Sequence, residues 1–151
     1  MLRRLLDDPP DFPNCRGPQG VGEIVLEYAI YHSPLAFIRA LLEFGADPNY
    51  QDHAGFPALI AALSSARADK YEIIELLLAS GADIQRRGIN DRTPLHYAAA
   101  SDDVAAIELL LAHGADPTAR TTIDNCATAS KRRSTSAGPT RCARFAGWPA
   151  R

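Results

Sequence analysis

The stretch from Thr93 to Arg120 reads TPLHYAAASDDVAAIELLLAHGADPTAR. Its residues spell out a helix, a turn, a second helix and a loop. Pro94 suits the first turn of a helix, where its missing N–H is not needed and its φ is already set. The small run Ala98, Ala99, Ala100 lets this short helix lie close to a neighbour. Asp102 or Asp103 is placed to cap the free N–H groups of the next helix. Val104, Ile107, Leu110 and Leu111 fall on one face of that helix at spacings of 3, 4 and 7. Gly114 then stops it by taking a left-handed conformation.

The same unit occurs upstream. LLEFGADPN (Leu41–Asn49) and LLLASGADIQ (Leu76–Gln85) echo LLLAHGADPT (Leu109–Thr118). Their glycines, Gly45, Gly81 and Gly114, are 36 and 33 residues apart. IVLEYAIY (Ile24–Tyr31) and FPALIAAL (Phe56–Leu63) align with TPLHYAAA, the middle copy carrying four extra residues before its glycine. Ser33-Pro34 reads as a cap with a proline at the first helical position, and Asp69 as the cap of the helix to Ser80. A fixed period in the low thirties marks a stacked array. No single two-helix unit can bury its apolar face alone, so each neighbour must cover it.

With TPLH, paired alanines, LLL and GAD all in register, Arg92–Arg120 resembles an ankyrin repeat. The middle copy matches it less well and the first copy less again. The resemblance implies an all-α ankyrin-repeat solenoid of about three repeats, and the composition of the residues that follow adds the expectation of a disordered C-terminal tail. The resemblance also implies that Pro94 and Leu95 pack in the core, and that Thr93 and His96 hydrogen-bond to each other and to nearby backbone. Thr93, Pro94, Leu95, His96 and Gly114 are then structural. This latch is expected once, because the other copies have Ile24 and Glu27, or Phe56 and Leu59, at the Thr93 and His96 positions. Asp102 stands where the family often has glycine; Asp tolerates the left-handed region better than most residues. The expected organisation is an N-terminal capping helix and loop over 1–22, repeats at about 23–52, 53–88 and 89–120, and a remnant loop and tail over 121–151.

At 151 residues the chain is long enough for one domain with a real core. No apolar run approaches the roughly 20 residues of a membrane span, and the N-terminus lacks the apolar stretch of a secretory signal. Three scattered cysteines, Cys15, Cys126 and Cys142, fit neither a zinc site nor a disulfide framework and point to a reducing, cytoplasmic setting. Residues 1–117 carry a net charge of −8 and residues 118–151 a net +6. The body therefore repels nucleic acid. Residues 127–151 hold no Leu, Ile, Val, Met, Asp or Glu, so no apolar stripe can form there to cover the third repeat. A genuine basic tail and a shifted reading frame both fit that composition. The outer face of the third repeat, with Ile107, Leu110 and Leu111, is expected to be partly bare, and self-association through it is a consequence.

No catalytic constellation emerges. His32, His53, His96 and His113 lack metal-site spacing, and no phosphate-cradling glycine motif is present. No cofactor is expected and the chain reads as non-enzymatic. What remains is the concave face of a stack, lined by first helices and finger loops. The resemblance places Tyr28, Ile60 and Tyr97 there in one row, with Tyr31 and Leu63 in the next. The loops add His53, Arg86, Arg87, Asn90 and Arg92. Tyrosine at that density suits recognition of a protein partner. The other function weighed is binding of nucleic acid or an acidic surface through the tail, which is the less favoured.

Overall fold

The computed structural model describes residues 12–14, 25–50, 56–88 and 91–121. Six helices form the regular structure among these residues. They are α1 (Val25–His32), α2 (Leu35–Glu43), α3 (Ala58–Ser64), α4 (Lys70–Ala79), α5 (Pro94–Ala100) and α6 (Val104–Ala112). The expected N-terminal helix, His53, Asn90, all three cysteines and the tail from residue 122 lie outside the described residues.

The helices pair as three hairpins, α1–α2, α3–α4 and α5–α6, each packed against the next. First helices stand beside first helices, α1 on α3 and α3 on α5, while α2 packs on α4. Small residues set the closeness of the inner row. Ala29, Ala61 and Ala98 occupy equivalent positions and are all buried. The larger side chains fill the space between the rows: Ile30, Ile38 and Leu41, then Leu59, Ile73, Ile74 and Leu77, then Leu95, Ile107 and Leu110.

Each second helix ends in the same way. Gly45, Gly81 and Gly114 have φ of 95°, 89° and 90°, and an added Cβ would meet nothing within 4 Å at any of them. The demand for glycine is therefore conformational and not spatial. Around the last, the N–H of Gly114 donates to Leu111 O at 3.0 Å and that of Ala115 to Leu110 O at 3.0 Å. Equivalent pairs close α2 and α4. This is the Schellman arrangement, which satisfies carbonyls the helix leaves orphaned. The aspartate of each GAD then accepts the N–H two residues on: Asp47 from Asn49, Asp83 from Gln85 and Asp116 from Thr118.

Helix starts follow the sequence reading in part. Pro94 lies in the first turn of α5. Asp103 caps α6, its carboxylate accepting from Ala106 N–H at 3.1 Å. Asp102 takes the left-handed conformation, with φ of 52°. At α2, Pro34 itself is the cap residue and makes no side-chain bond, so the helix starts one residue later than expected. At α4, Asp69 holds the cap position, but its carboxylate turns to the Arg67 guanidinium instead. The outer face of the third repeat is also less bare than expected. Ile107 is 2% exposed and Leu110 fully buried, while Leu111 is half-buried. Val104 and Leu109 of the same helix are also only half-buried.

Candidate functional site

The polar groups fall into three sets: an internal latch, two lines of inter-repeat bonds, and a surface. The latch is Thr93 and His96, both buried. Thr93 is the N-cap of α5 and His96 its third helical residue, and together they form a reciprocal capping box. Thr93 Oγ1 lies 2.8 Å from His96 Nδ1, and the Thr93 backbone N–H donates to the same nitrogen at 3.4 Å. A backbone N–H can only donate, so Nδ1 is an acceptor and the proton of the neutral ring sits on Nε2. Both residues are enclosed, so neither can meet a ligand. At the His96 position the other hairpins bury Glu27 and Leu59. Pro94 and Leu95 are buried as the resemblance implied.

One line of inter-repeat bonds runs along the loop edge. The Asn49 amide donates to Gly81 O at 2.8 Å and its oxygen accepts from Asp83 N–H at 2.7 Å. Asn14 makes the same pair with Gly45 O and Asp47 N–H, at 3.3 and 2.7 Å. Gln85 reaches Gly114 O at 3.4 Å. Each amide thus straps the next glycine turn. Sequence reasoning missed this ladder, although FPN (Phe12–Asn14) echoes DPN (Asp47–Asn49), with the asparagines 31 and 32 residues before the glycines they strap. The N-terminal strap also shows that the array's loop pattern reaches back to residue 14.

The other line runs along the hairpin edge. Arg67 forks onto Asp69 at 2.7 and 2.6 Å and donates to Ser33 O of the preceding hairpin at 2.6 Å. Arg67 belongs to the five-residue turn between α3 and α4, against two residues between α1 and α2. The extra residues of the middle copy therefore supply a clasp. One unit on, Lys70 Nζ meets Asp103 at 2.6 Å and Tyr71 OH donates to it at 2.9 Å. Burial pushes the Asp103 carboxyl up, but the Lys70 ammonium, the Ala106 N–H and the Tyr71 hydroxyl together hold it below the usual carboxylate range. The bond to Asp103 raises Lys70 in turn.

The surface holds most of the remaining candidates. Tyr28 is 52% exposed on α1, where its ring tilts over His32 at 4.7 Å; Tyr31 beside it is half-buried. Tyr97, in the equivalent place on α5, is half-buried against the edge of Phe56, at 6.3 Å. Burial raises its phenol, and the nearby Arg92 charge partly offsets that. Between them the row is interrupted. Ile60 is fully buried and Leu63 is 6% exposed, so neither belongs to a surface. Both lie on α3, which has helices on both sides, and an aliphatic chain at those positions is covered where a tyrosine extends past its neighbours.

Arg86 and Arg92 are half-buried in the second finger loop, while Arg87 is exposed. Arg87 Nη1 donates to Asp91 Oδ2 at 2.7 Å and to Arg120 O at 3.0 Å. That bond joins the second finger loop to the third. Arg120 and the 40%-exposed Tyr50 extend the surface beyond the residues singled out from sequence. Among the described residues no group of His, Cys, Asp and Glu is placed to hold a metal ion, and no helix is long and apolar enough to cross a membrane.

A family model described as ankyrin repeats in three copies matches residues 1–88 and residues 26–121. Such repeats are in general protein–protein interaction modules, and the family is typically non-enzymatic. Among curated proteins, the chain is similar to an intracellular phospholipase A2 of Caenorhabditis elegans, with 28% identity over 100 residues. That alignment takes in 66% of this chain and 9% of the relative's length.

Proposed function

The chain belongs to the ankyrin repeat family, and from that premise we propose that it is a non-enzymatic binding module that presents its first helices and finger loops, as one concave face, to a protein partner. The observation that carries this reading is the surface Tyr28, with Tyr97 in the equivalent position two hairpins away and Arg92 beside it. Tyrosine offers wide contact area with a polar tip at low entropic cost. The polar groups that look most like chemistry, Thr93 and His96, are enclosed and committed to holding α5. An enzyme needs a reactive group that a substrate can touch.

Affinity capture from the native cell tests the proposal. Tyr28→Ala with Tyr97→Ala should abolish capture of the partner. Glu75→Lys with Glu108→Lys, at exposed positions of the second helices, should leave capture intact. Capture lost with the second pair and kept with the first would place the partner on the opposite face and end this reading.

A further inference from the structure

α3 packs against a first helix on each side, α1 and α5; among the described residues α5 has such a neighbour on its α3 side only. The position that buries Leu63 in α3 is exposed in α5, at Ala100. Beyond the third glycine turn, Thr121 is 1% exposed and its hydroxyl has no hydrogen-bond partner among the described residues. A buried hydroxyl is normally paired. The sequence that follows carries one echo of the earlier units. Thr128 stands 35 residues after Thr93, within the 32 and 37 that separate Ile24, Phe56 and Thr93. After Thr128 the pattern fails at two places. Ser130 falls at the position of Leu95 and Arg141 at that of Ala106, and both of those are buried in the third hairpin.

We infer that codons 130–151, read one nucleotide out of their present frame, encode a fourth helical hairpin that packs on α5 and α6. The genetic code lets that frame be read from the protein. Each displaced codon takes the third base of one present codon and the first two bases of the next. Those two bases are fixed by the amino acid, except that serine and arginine each have two codon families. Cys142 leaves TG, which gives Leu, Met or Val; Phe145 leaves TT, which gives Phe, Leu, Ile or Val. These positions match Ile107 and Leu110, both buried, and are apolar in either frame. Positions 130 and 141 discriminate. A TCN serine gives Phe, Leu, Ile or Val at 130, and a CGN arginine gives Ser, Pro, Thr or Ala at 141. Both failures of the pattern vanish together. Position 137 matches Asp102, whose φ is 52°; Ala137 leaves GC, which admits the glycine that such a turn favours. Ala, Arg, Gly and Pro supply 15 of residues 127–151, and all four have GC-rich codons. With G or C in the third places every displaced codon begins with G or C, and no stop codon does. Position 131 then becomes Glu or Gln in place of Lys131, closer to the acidic body. A hairpin there gives α5 and α6 the neighbour that a stacked unit needs. The inference holds whichever partner the array takes, and it lengthens the proposed binding face by one row, roughly 8–10 Å.

Two measurements test this. Genomic DNA and reverse-transcribed messenger RNA, sequenced across these codons, should show TCN at 130, CGN at 141 and no stop in the displaced frame. A stop codon there, AGY at 130 or AGR at 141 would each overturn the inference. The gene is then expressed as the full chain and as the same chain with one nucleotide inserted before the third base of codon 129. Every GCN codon is alanine, so the insertion leaves Ala129 unchanged and restores the displaced frame after it. Native-state hydrogen exchange in α5 and α6 should be at least about tenfold slower in the restored chain. An aspartate codon placed at position 142 of the restored chain, within the matched apolar face, should remove that gain. Exchange in α5 and α6 that is unchanged or faster, a gain that survives the aspartate, or a restored chain that fails to fold would each overturn the inference.

Discussion

His96 is a histidine in an unusual service. In most capping boxes the third helical residue is Glu or Gln, reaching back to the N-cap N–H. Here the imidazole Nδ1 takes that part while also meeting the Thr93 hydroxyl. The ring is fully buried, so its removal leaves polar groups enclosed without a partner. His96→Ala should cost about 1–3 kcal/mol of stability and leave partner affinity unchanged in the folded protein. His96→Gln, with an acceptor at similar reach, should recover part of the loss. Chemical denaturation gives both values; an unaltered midpoint with lost binding would make His96 a contact residue. Gly81 makes a different demand. With φ of 89° and open space around its Cα, Gly81→Ala meets no clash and bears only the left-handed penalty, about 1–2 kcal/mol. Its denaturation midpoint should fall by that amount with the m-value unchanged.

At the scale of the element, the second helices are tied to one another by their N-termini. Asp103 caps α6 and binds Lys70 and Tyr71 of α4. Its folded pKa lies below the ordinary value, so the unfolded chain binds the extra proton. Stability from this group is complete above roughly pH 4–5 and lost as pH falls through the lowered folded value. Lys70 is shifted the other way, so its contribution is present below about pH 10 and lost as pH rises further. Asp103→Asn keeps a good cap but removes the charge. It should therefore melt below wild type at pH 7, and the difference should close on acidification. A gap that persists after Asp103 is protonated would locate the effect in packing. Helix type, the glycine stops and the period were legible because each is local: a left-handed turn or an apolar face depends on residues a few positions apart. The straps were not. Arg67 looks like surplus length in the middle copy until Ser33 O is seen 2.6 Å away. Ile60 aligned with two tyrosines yet is buried, because cover is set by the sizes of side chains on both neighbouring helices. An alignment within one chain gives the position and not the cover.

At the scale of the whole molecule, stability is shared along a line. Each hairpin is held by its neighbours, so the array approximates a sum of unit and interface terms. The hairpins are not equally placed. α3 packs on α1, α4 and α5, and Ser64 is its only residue not buried. Its partner α4 buries Ile73, Ile74 and Leu77 completely; Arg67 in the turn before it clasps the first hairpin, and its own Lys70 clasps the third. In α2 only Ile38 and Leu41 are buried, and Phe44 at its end is 72% exposed. α6 buries Ala106, Ile107 and Leu110. Among the described hairpins, opening the first or the third breaks one hairpin–hairpin interface, whereas opening the middle one breaks two. Native-state hydrogen exchange should therefore show the slowest amides in α3 and α4, at or near the global unfolding free energy. Amides of α2 and α6 should exchange earlier, through partial openings. Arg67→Ala loosens only the clasp between the first and middle hairpins, so it should speed exchange in α1 and α2 while leaving α5 and α6 near their wild-type rates. Equal acceleration in all six helices would mean that the array opens as a single cooperative unit, and that the line of neighbours is not how its stability is divided.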